Sequence, residues 1–480
     1  MPAIEAVIFD FDNTLVNTDK LKEYRERKLF SEITEEMVAE TRKYLPVARM
    51  LQLLRDKGVK LGIVTNSPGR YVRRLLAHHE LLEFFDTIVS YTEVGSRGGA
   101  KPSPMGIKMA LEAMKIQDPT RAAYVGDDYK DVVAAYRAGV LPIVPSWASR
   151  DSVSTPPSIE VSSAGLVELV DNTAEYRLFA ERCADSQSTD FNRSQARFLP
   201  LDENCDVATI RTKLKAFCLG RYFSQTGATT ALLHDNHALS LEITAKDKVP
   251  YEPPAWMADM LLRVCRAAGD FLFQDGRKID LVTVIPSKPG KAKRLELMLE
   301  EMKRLAPDGA GIEFVDNLLY FKEGCASTLR VLKARDRHAE QERSLLAVPR
   351  NLAGRNIIVI DDVITTGATM NRAIALLEAQ GAASVYGVGI AKTVSIQDEV
   401  KSCPKCGREM RLQKNKTTGE RFWSCNGYFA DKACEHAESF LRCPLCDRDL
   451  RLRTNRRDNS KFYGCTGYNA EPTCKYTRNA

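Results

Sequence analysis

The sequence predicts an α/β protein with two separate, mostly parallel sheets of Rossmann-like topology, followed by two small metal-binding modules. Three observations lead to this prediction. Apolar runs of strand length alternate with amphipathic runs of helix length over residues 1–172, and a second series of the same kind occupies 201–400. Eight of the thirteen cysteines fall in residues 401–480, in two sets with the same spacing. At 480 residues, the chain is also too long for one ordinary hydrophobic core.

Composition and charge restrict the class of protein. Hydrophobic residues make up 44% of the chain and charged residues 28%, as is typical of a globular protein. The sequence contains no apolar run of membrane-spanning length, and its first residues form a strand pattern instead of a signal peptide. We therefore expect a cytoplasmic protein. The net charge is +6, but residues 401–480 hold 17 Lys or Arg and 9 Asp or Glu, so the basic excess lies in the tail.

The expected domains follow these changes in pattern. The stretch ERCADSQSTDFNRSQ, residues 181–195, is polar and weakly periodic, which is typical of a linker, and we expect the linker over 173–200. We expect a first α/β domain over 1–172, this linker, a second α/β domain over 201–400, and metal-binding modules over 401–440 and 441–480.

Polar residues follow three apolar strands of the first domain. The sequence DFDNT starts at Asp10, Thr65 ends the second strand, and GDDYKD starts at Gly126 after the third. Ligands of parallel sheets bind at the carboxyl ends of the strands. Carboxylates gathered there remain ionised when a divalent cation lies among them.

These motifs, with Lys101 in GAKPSP, resemble the four ordered motifs of the haloacid dehalogenase superfamily. The resemblance implies a phosphohydrolase in which Asp10 is the nucleophile and Asp12 the general acid and base. The alternative for DFDNT alone is an ordinary strand and turn. Between Leu15 and Pro46 there is room only for a small helical cap. The catalytic residues that the resemblance implies are Asp10, Asp12, Thr65 and Lys101, and the Mg²⁺ ligands are Asp10, the carbonyl of Asp12, Asp127 and Asp131.

The second domain contains the sequence IIVIDDVITTGAT, in which an apolar strand ends in two adjacent carboxylates. It resembles the ribose-phosphate signature of the type I phosphoribosyltransferases, in particular the ComF-like branch. The resemblance implies that Asp361 and Asp362 bind ribose hydroxyls beside Mg²⁺, and that the following turn binds a 5-phosphate at a helix N-terminus. The residues expected to bind phosphoribosyl pyrophosphate (PRPP) are Asp361, Asp362, Thr365, Thr366, Gly367, Ala368, Thr369, Ser287, Lys288 and Arg335.

Ordinary structural roles remain open for several of these residues. The signature could be a buried strand with a Thr-rich turn. The basic segment 331–346, expected as a mobile flap over the pyrophosphate, could be a solvated helix. His234 and His237 lie in the segment expected to form the base pocket, but an isolated histidine is more often structural than substrate-binding.

The tail is a tandem duplication with a repeat of 40 residues. Each copy has cysteines separated by 2, 18 and 8 residues, which predicts a closed four-thiolate zinc site. Disulfides are the alternative, and His436 could replace Cys434. The copies resemble the C-terminal zinc ribbons of bacterial type I topoisomerases, which implies single-stranded DNA binding, with Phe422, Trp423, Phe462 and Tyr463 stacking on bases. The alternative is that these aromatic residues form the core of each ribbon and that the ribbons are a protein-docking module. The eight expected zinc ligands are Cys403, Cys406, Cys425, Cys434, Cys443, Cys446, Cys465 and Cys474.

The resulting hypothesis is a Mg²⁺-dependent phosphohydrolase fused to a phosphoribosyltransferase and brought to DNA by two zinc ribbons, with a role in nucleotide metabolism linked to DNA uptake, repair, stress or phage defence. Two alternatives remain. The transferase fold could sense a nucleotide in a nucleic-acid-binding regulator, or the hydrolase could remove phosphate from nucleic-acid ends. The sequence leaves the oligomeric state open, including a homo-oligomer.

Overall fold

The structure is a computed structural model of the 480-residue chain. It describes residues 3–192, 195–209, 214–225, 227–245, 251–273, 276–307, 311–323, 344–396, 401–415, 417–418, 420–430, 434–441, 443, 448, 450–455, 460–470 and 473–479. These residues form two compact units, of which one contains both large sheets and the other contains the cysteine-rich tail. None of the described helices combines the length and the apolar character needed to cross a membrane.

The N-terminal sheet has six parallel strands in the order β5-β4-β1-β6-β7-β8. A short antiparallel pair, β2 and β3, lies outside this sheet and brackets two helices that form the small cap. The strands are β1 (Ala6–Phe9), β2 (Val16–Asn17), β3 (Arg42–Lys43), β4 (Lys60–Val64), β5 (Thr87–Val89), β6 (Ala122–Val125), β7 (Leu141–Pro145) and β8 (Ile159–Val161). The helices are α1 (Lys22–Glu26), α2 (Glu35–Ala39), α3 (Val47–Asp56), α4 (Gly69–His78), α5 (Tyr91–Val94), α6 (Met105–Ala113), α7 (Tyr129–Ala138) and α8 (Ser163–Leu169).

Strand β1 is buried on both faces of this sheet. Val7 and Phe9 pack into one hydrophobic cluster, whereas Ala6 and Ile8 pack into a second one. Successive side chains of a strand point to opposite faces, so a central parallel strand covered by helices on both sides must be continuously apolar. The carboxyl end of β1, where Asp10 follows, is thereby fixed between two packed layers.

The second sheet has the order β13-β12-β16-β17-β10-β9, and β11 also pairs with β17. All pairs are parallel except that of β9 with β10. The strands are β9 (Leu199–Leu201), β10 (Ala216–Cys218), β11 (Arg221–Phe223), β12 (Leu281–Val284), β13 (Glu313–Phe314), β16 (Asn356–Ile364) and β17 (Ser384–Val394), with β14 (Leu319–Phe321) and β15 (Leu345–Ala347) forming a separate antiparallel pair. The helices are α9 (Phe179–Ser186), α10 (Ala228–Asp235), α11 (Ala238–Ala245), α12 (Ala255–Leu272), α13 (Arg294–Leu305) and α14 (Ala368–Glu378).

The stretch 173–200, expected as a linker, contains the packed helix α9. Phe179 and Cys183 on this helix are fully buried. Glu181 is also buried and forms a two-pronged ion pair with Arg221 of β11, with N–O distances of 2.7 and 2.8 Å. Arg221 in turn donates hydrogen bonds to Tyr136 of the N-terminal sheet domain and to Ser158. Helix α9 and strand β11 thus connect the two sheet domains by buried polar contacts.

The tail folds into two similar three-stranded antiparallel sheets. The first consists of β18 (Met410–Lys414), β19 (Arg421–Cys425) and β20 (Ala437–Ser439), with α15 (Asn426–Ala430) after the second strand. The second consists of β21 (Leu450–Thr454), β22 (Lys461–Cys465) and β23 (Thr477–Asn479). The registers correspond: Met410 pairs with Cys425 in the first sheet, and Leu450 pairs with Cys465 in the second.

Candidate active sites and metal centres

The floor of the N-terminal cleft is a buried group of charges at the strand ends. Lys101 Nζ lies 2.6 Å from Asp10 Oδ1 and 2.5 Å from Asp131 Oδ1, and Tyr124 also contacts this amine. Asp131 can approach because Gly126 has no side chain: a β-carbon there would overlap with the Asp131 carboxyl group. The fold therefore brings together Asp10, Lys101 and Asp131 from three separate sequence motifs.

Three carboxylates on this floor have the geometry of a cation site. One oxygen each of Asp10, Asp127 and Asp131 lies within 4.8 Å of the others. Burial, followed by the charge of Asp131 and that of Asp12, raises the pKa of Asp10 to about 7, against an opposing effect of Lys101. Burial and the charges of Asp10 and Asp131 also raise the pKa of Asp127 well above its ordinary value. A divalent cation would remove this penalty, so the donor set fits a hard ion such as Mg²⁺.

Asp12 has a separate set of partners. Its carboxylate accepts hydrogen bonds from the hydroxyls of Thr18 at 2.8 Å, Ser67 at 2.6 Å and Tyr71 at 2.9 Å. Arg25 of the cap lies 3.6 Å from the same carboxylate. The described partners of Asp12 are thus different from those of the three-carboxylate group.

The second strand end is tied to the loop that carries Lys101. Asn66 accepts a hydrogen bond from the backbone N–H of Lys101 at 2.8 Å and donates one to its carbonyl at 3.1 Å. Thr65 is buried and accepts the N–H of Ser67 at 3.2 Å. Both predicted phosphoryl-binding residues therefore lie in the cleft, and Asn66 is an orienting residue that the sequence motifs did not single out.

The cleft has a volume of about 640 Å³, and several of the residues that line it lie outside the sequence motifs. On one side the cap contributes Lys22, Arg25 and Phe30. Residues 151–154 and Asp206, which follow the last motif in the sequence, also line it. No signal in the sequence pointed to them, because their position depends on how the chain returns after helix α9.

The carboxyl end of β16 carries the predicted ribose-phosphate loop. The backbone N–H of Asp362 donates to Asp361 at 2.8 Å, and Gly367 is the left-handed N-cap of α14, with φ of 78°. The buried Lys392 donates to the carbonyl of Thr365 at 2.5 Å, and Thr365 and Thr393 share a hydroxyl contact at 3.0 Å. Lys392 was missed in the sequence, where it stands alone in an apolar strand. The loop residues Thr365, Thr366, Gly367, Ala368 and Thr369 come together at one helix N-terminus.

The predicted pyrophosphate loop has an internal acidic partner. Both the backbone N–H and the hydroxyl of Ser287 donate to the Glu296 carboxylate, at 2.7 and 3.0 Å. Lys288 lies over the ring of Phe321, 5.7 Å from its centroid. Arg335 and the remainder of the predicted flap up to residue 343 lie outside the described residues.

Both histidines of the predicted base-pocket segment have structural partners. His234 Nδ1 contacts the carbonyl of Phe223 at 2.7 Å, and His237 Nδ1 contacts the Ser240 hydroxyl at 2.9 Å. Both side chains are buried. The structure therefore favours the structural alternative for them.

The four cysteines of the first tail module converge. Cys403, Cys406, Cys425 and Cys434 place their sulfur atoms within 4.8 Å of one another, and Gly427 donates an N–H to Cys425 Sγ at 3.3 Å. His436 instead contacts Glu438, at 2.8 Å.

The second module repeats this arrangement. The sulfur atoms of Cys443, Cys465 and Cys474 lie within 4.8 Å of one another, whereas Cys446 lies outside the described residues. Gly467 donates an N–H to Cys465 Sγ at 3.2 Å, as Gly427 does to Cys425 in the first module. Both clusters of converging cysteine thiols are suited to zinc.

The aromatic residues of the modules divide between two faces. Trp423 and Tyr463 pack against the cysteine clusters. Phe422 and Phe462 immediately precede them in the strands, so they lie on the opposite face. In the second module Phe462 pairs with Arg453, which puts an aromatic ring and a guanidinium on one open face.

Comparisons with known families match three parts of the chain in order. Residues 20–144 match the haloacid dehalogenase-like hydrolase family, residues 305–415 match the phosphoribosyl transferase domain, and residues 441–480 match the topoisomerase DNA-binding C4 zinc finger. The first match begins after Asp10 and Asp12, and the second includes Asp361 and Asp362 but not Ser287.

Individual relatives match the N-terminal domain. The pyrophosphatase PpaX of Bacillus cereus strain B4264 is 29% identical over 188 residues, which cover 31% of this chain and 85% of that protein. PpaX of Bacillus thuringiensis strain Al Hakam is 28% identical over the same length and coverage. Among solved structures, a predicted phosphoglycolate phosphatase from Haemophilus somnus 129PT is 19% identical, with a TM-score of 0.28, and the match covers 35% of this chain and 99% of that one.

The chain is therefore an enzyme with two kinds of catalytic domain, followed by a zinc-ribbon module. It combines a haloacid dehalogenase-like hydrolase domain, a phosphoribosyltransferase domain and a topoisomerase-type zinc ribbon, in this order.

Proposed function

We propose that this protein is a Mg²⁺-dependent phosphomonoester hydrolase joined to a PRPP-using transferase and held on single-stranded DNA by two zinc ribbons, with a role in nucleotide metabolism linked to DNA. The observation that carries the hydrolase is the group of Asp10, Lys101, Asp127 and Asp131 at the strand ends, with Asp12 held separately beside it. Lys101 offsets part of the repulsion among these buried carboxylates, and a divalent cation would offset more of it.

The hydrolysis proceeds in two steps. An Asp10 oxygen attacks the phosphorus atom, and the bond from phosphorus to the leaving oxygen breaks as Asp12 gives that oxygen a proton. Water then attacks the same phosphorus atom, Asp12 takes a proton from the water, and the bond to Asp10 breaks. Lys101, now paired with Asp10 at 2.6 Å, is placed to contact the phosphoryl oxygens.

Mg²⁺ would be held by Asp10, the carbonyl of Asp12, Asp127 and Asp131, and when bound it supplies charge neutralisation at the phosphoryl oxygens. Thr14 orients Asp127 by donating its hydroxyl at 3.1 Å. Asn66 fixes the Lys101 loop by the two backbone hydrogen bonds described above.

In the transferase, a base nitrogen would attack C1 of PRPP, so that a C–N bond forms while the C1–O bond to pyrophosphate breaks. The pyrophosphate leaves with the bonding electrons, and the nitrogen loses a proton to solvent. Gly367 and the first turn of α14 supply backbone N–H groups for the 5-phosphate. The carboxylates of Asp361 and Asp362 would accept hydrogen bonds from the ribose hydroxyls.

The ribbon proposal is supported by the open faces of the two modules. Arg451 and Arg453 alternate along β21 and are exposed, and Phe462 lies on the face of Arg453. A cation beside an aromatic ring on a flat sheet is suited to a phosphate backbone with unstacked bases. Zinc at each cysteine cluster, two ions for the chain, would hold these faces in shape.

Three assays on the full-length protein test this proposal. Phosphate release from p-nitrophenyl phosphate should require Mg²⁺ and Asp10. Pyrophosphate release from PRPP should appear with at least one base of a panel. Single-stranded oligonucleotide binding should weaken with salt and with a Phe462→Ala change, whereas the same change at exposed Tyr320 should not affect it. Absence of Mg²⁺-dependent phosphate release would contradict the hydrolase.

A second candidate is a regulator in which the transferase fold binds a nucleotide without turnover. It is favoured by the hydrogen bonds from Ser287 to Glu296, which occupy donors that a pyrophosphate would otherwise use. Tight calorimetric binding of PRPP without pyrophosphate release would support this candidate. A Glu296→Gln variant that gains turnover would identify the carboxylate as the obstacle.

A further inference from the structure

One wall of the hydrolase cleft is formed by residues 151–154, which precede helix α9, and by Asp206, which follows it. Residues 151–154 reach it after the last strand motifs, and Asp206 reaches it from the turn between β9 and β10. Val153 and Val207 exchange two backbone hydrogen bonds, at 3.0 and 2.9 Å. Because this pairing joins the two segments directly, Asp206 has a fixed position relative to the cleft.

A buried arginine reinforces the same wall. The Arg150 side chain is only 1% exposed, and it donates to Glu160 at 2.7 Å and to the carbonyl of Ala208 at 2.9 Å. It thereby connects strand β8 to the chain that follows Asp206. A buried guanidinium with partners on both segments resists their separation.

The turn that carries Asp206 is itself tightly bonded. Asp202 accepts the backbone N–H groups of Asn204 at 2.9 Å and of Asp206 at 3.0 Å. On the transferase side, Asn371 of α14 donates to the carbonyl of Glu203 at 2.7 Å. The Asp206 carboxyl group is therefore presented to the cleft by a preorganised turn and not by a free loop.

The Asp206 carboxylate lies outside the described ion pairs. Among the residues that the structure describes, none forms an ion pair with its half-buried carboxylate. Burial and the neighbouring charge of Asp202 raise its pKa, against an opposing effect of Lys392. An ionised group in this position repels a second anionic group in the cleft and accepts hydrogen bonds from hydroxyl or amino groups.

We propose that Asp206 is a specificity-determining residue of the hydrolase: it selects phosphomonoesters whose leaving group offers hydroxyl or amino donors, such as sugar phosphates and nucleoside monophosphates, over substrates with a second phosphate. This inference rests on the proposed hydrolase function. With the phosphoryl group on the floor beside Asp10 and Lys101, the leaving group would lie among the residues that line the rest of the cleft, Asp206 included. Among the cations that line the cleft, Arg25 faces Asp12 at 3.6 Å and Lys130 faces Asp128 at 3.9 Å, whereas Lys22 is exposed.

The selected class also fits the reaction next to it. A transferase that attaches a base to PRPP yields a nucleoside monophosphate, whose ribose hydroxyls are donors and whose single phosphate is the hydrolysable group. Pyrophosphate, the other product, has a second phosphate and no donor of this kind. The hydrolase would thus consume the nucleotide product in preference to pyrophosphate.

The test compares full-length wild type, Asp206→Asn and Glu203→Gln with Mg²⁺ at pH 8. Glu203 is the matched control, because it is an exposed acid of the same turn whose side chain does not line the cleft. The substrates are ribose 5-phosphate, pyrophosphate and p-nitrophenyl phosphate. Asp206→Asn should raise kcat/KM for pyrophosphate about fivefold and lower that for ribose 5-phosphate about fivefold. It should leave p-nitrophenyl phosphate within about twofold, and Glu203→Gln should change none of the three by more than this.

Different results identify which proposal fails. If wild type releases phosphate but Asp206→Asn leaves the ratio of ribose 5-phosphate to pyrophosphate unchanged, the specificity role is wrong and the hydrolase stands. Equal loss on all three substrates, with an unchanged melting temperature, also overturns the specificity role. No release from any substrate by wild type overturns the hydrolase and this inference together.

Discussion

Cys205 fills the space beside Gly367 in the ribose-phosphate loop. A β-carbon on Gly367 would overlap with the Sγ and Cβ atoms of Cys205, and Gly367 has a left-handed φ of 78°. Cys205 itself has φ of 58°, a left-handed conformation that glycine adopts without steric cost. Cys205, which lies 162 positions earlier in the sequence, therefore leaves no room for a side chain at position 367.

Gly367→Ala should therefore destabilise the protein, by about 2 to 4 kcal/mol, from the left-handed conformation together with overpacking. The double change Gly367→Ala with Cys205→Gly should recover the overpacking part, since it removes both overlapping atoms. The free energy of unfolding in urea measures each variant.

Gly381→Ala is the matched control. Gly381 also has a positive φ, of 92°, but a β-carbon there would be in ordinary contact with Ala353 at 3.6 Å. This variant should lose only the conformational term, and Cys205→Gly should not restore it. Equal recovery of both variants would show that Cys205 acts by some means other than the overlap.

The strand-end residues were predictable because their signals are local. The apolar run before Asp361 predicts a buried strand, and the turn residues after it predict a helix N-terminus. The cysteine repeat was equally clear, because its spacing alone brings four thiols together. The strand and turn signals depend on neighbours within a few positions, and the cysteine signal depends on a spacing that recurs 40 residues later.

Contacts between distant segments could not be predicted in this way. Asp206 lines the hydrolase cleft only because Val207 pairs with Val153, and nothing in the sequence sets that register. Lys392 stands in an apolar strand, where its bond to Thr365 is invisible until β16 and β17 are aligned. Likewise residues 181–195 look like a polar linker, although one face of α9 is buried.

Asp10→Asn should lower phosphate release from p-nitrophenyl phosphate by at least about a thousandfold, since the amide cannot form the covalent intermediate. The change is nearly isosteric and removes one of several mutually repelling carboxyl groups, so the melting temperature should not fall. Steady-state kinetics and thermal unfolding measure the two effects.

Asp118→Asn is the control for this substitution. Asp118 caps a short helix by accepting the N–H of Thr120 at 2.9 Å, and asparagine caps equally well. It should retain full activity. An Asp10→Asn enzyme that keeps a tenth or more of the wild-type rate would exclude Asp10 as the nucleophile.

The buried pair of Arg221 and Glu181 should make stability depend on acid. Burial alone would raise the pKa of Glu181, but the charge and the hydrogen bonds of Arg221, with a smaller effect of His237, hold it well below its ordinary value. The folded state then binds a proton less readily than the unfolded state. The contribution of the pair is fully present above about pH 5 and is lost as the pH falls below the ordinary glutamate value of about 4.3.

Arg221→Met should cost about 3 to 5 kcal/mol at pH 7, because it removes the guanidinium partner of a buried carboxylate, and this loss should shrink towards pH 3. Arg263→Met is the control, since Arg263 forms an exposed helical pair with Asp259, and it should cost below about 1 kcal/mol. Urea unfolding at several pH values measures both. A loss for Arg221→Met that stays constant with pH would show that the ion pair is not its source.

Removal of zinc should unfold the ribbons without unfolding the sheet domains. The described core of the first ribbon consists of Met410 and the buried cysteines, with Trp423 packed against them. Such a core is too small to be stable without metal. A strong chelator should therefore shift the Trp423 emission to longer wavelength, while the melting transition of the unit that contains both large sheets remains.

Metal analysis should give two zinc ions for the full chain and one for Cys425→Ser. Cys265→Ser is the control, because Cys265 is buried in α12, apart from both clusters, and it should keep both ions. Retention of two ions by Cys425→Ser would mean that three thiolates suffice, whereas loss of both would mean that the two ribbons fold as one unit.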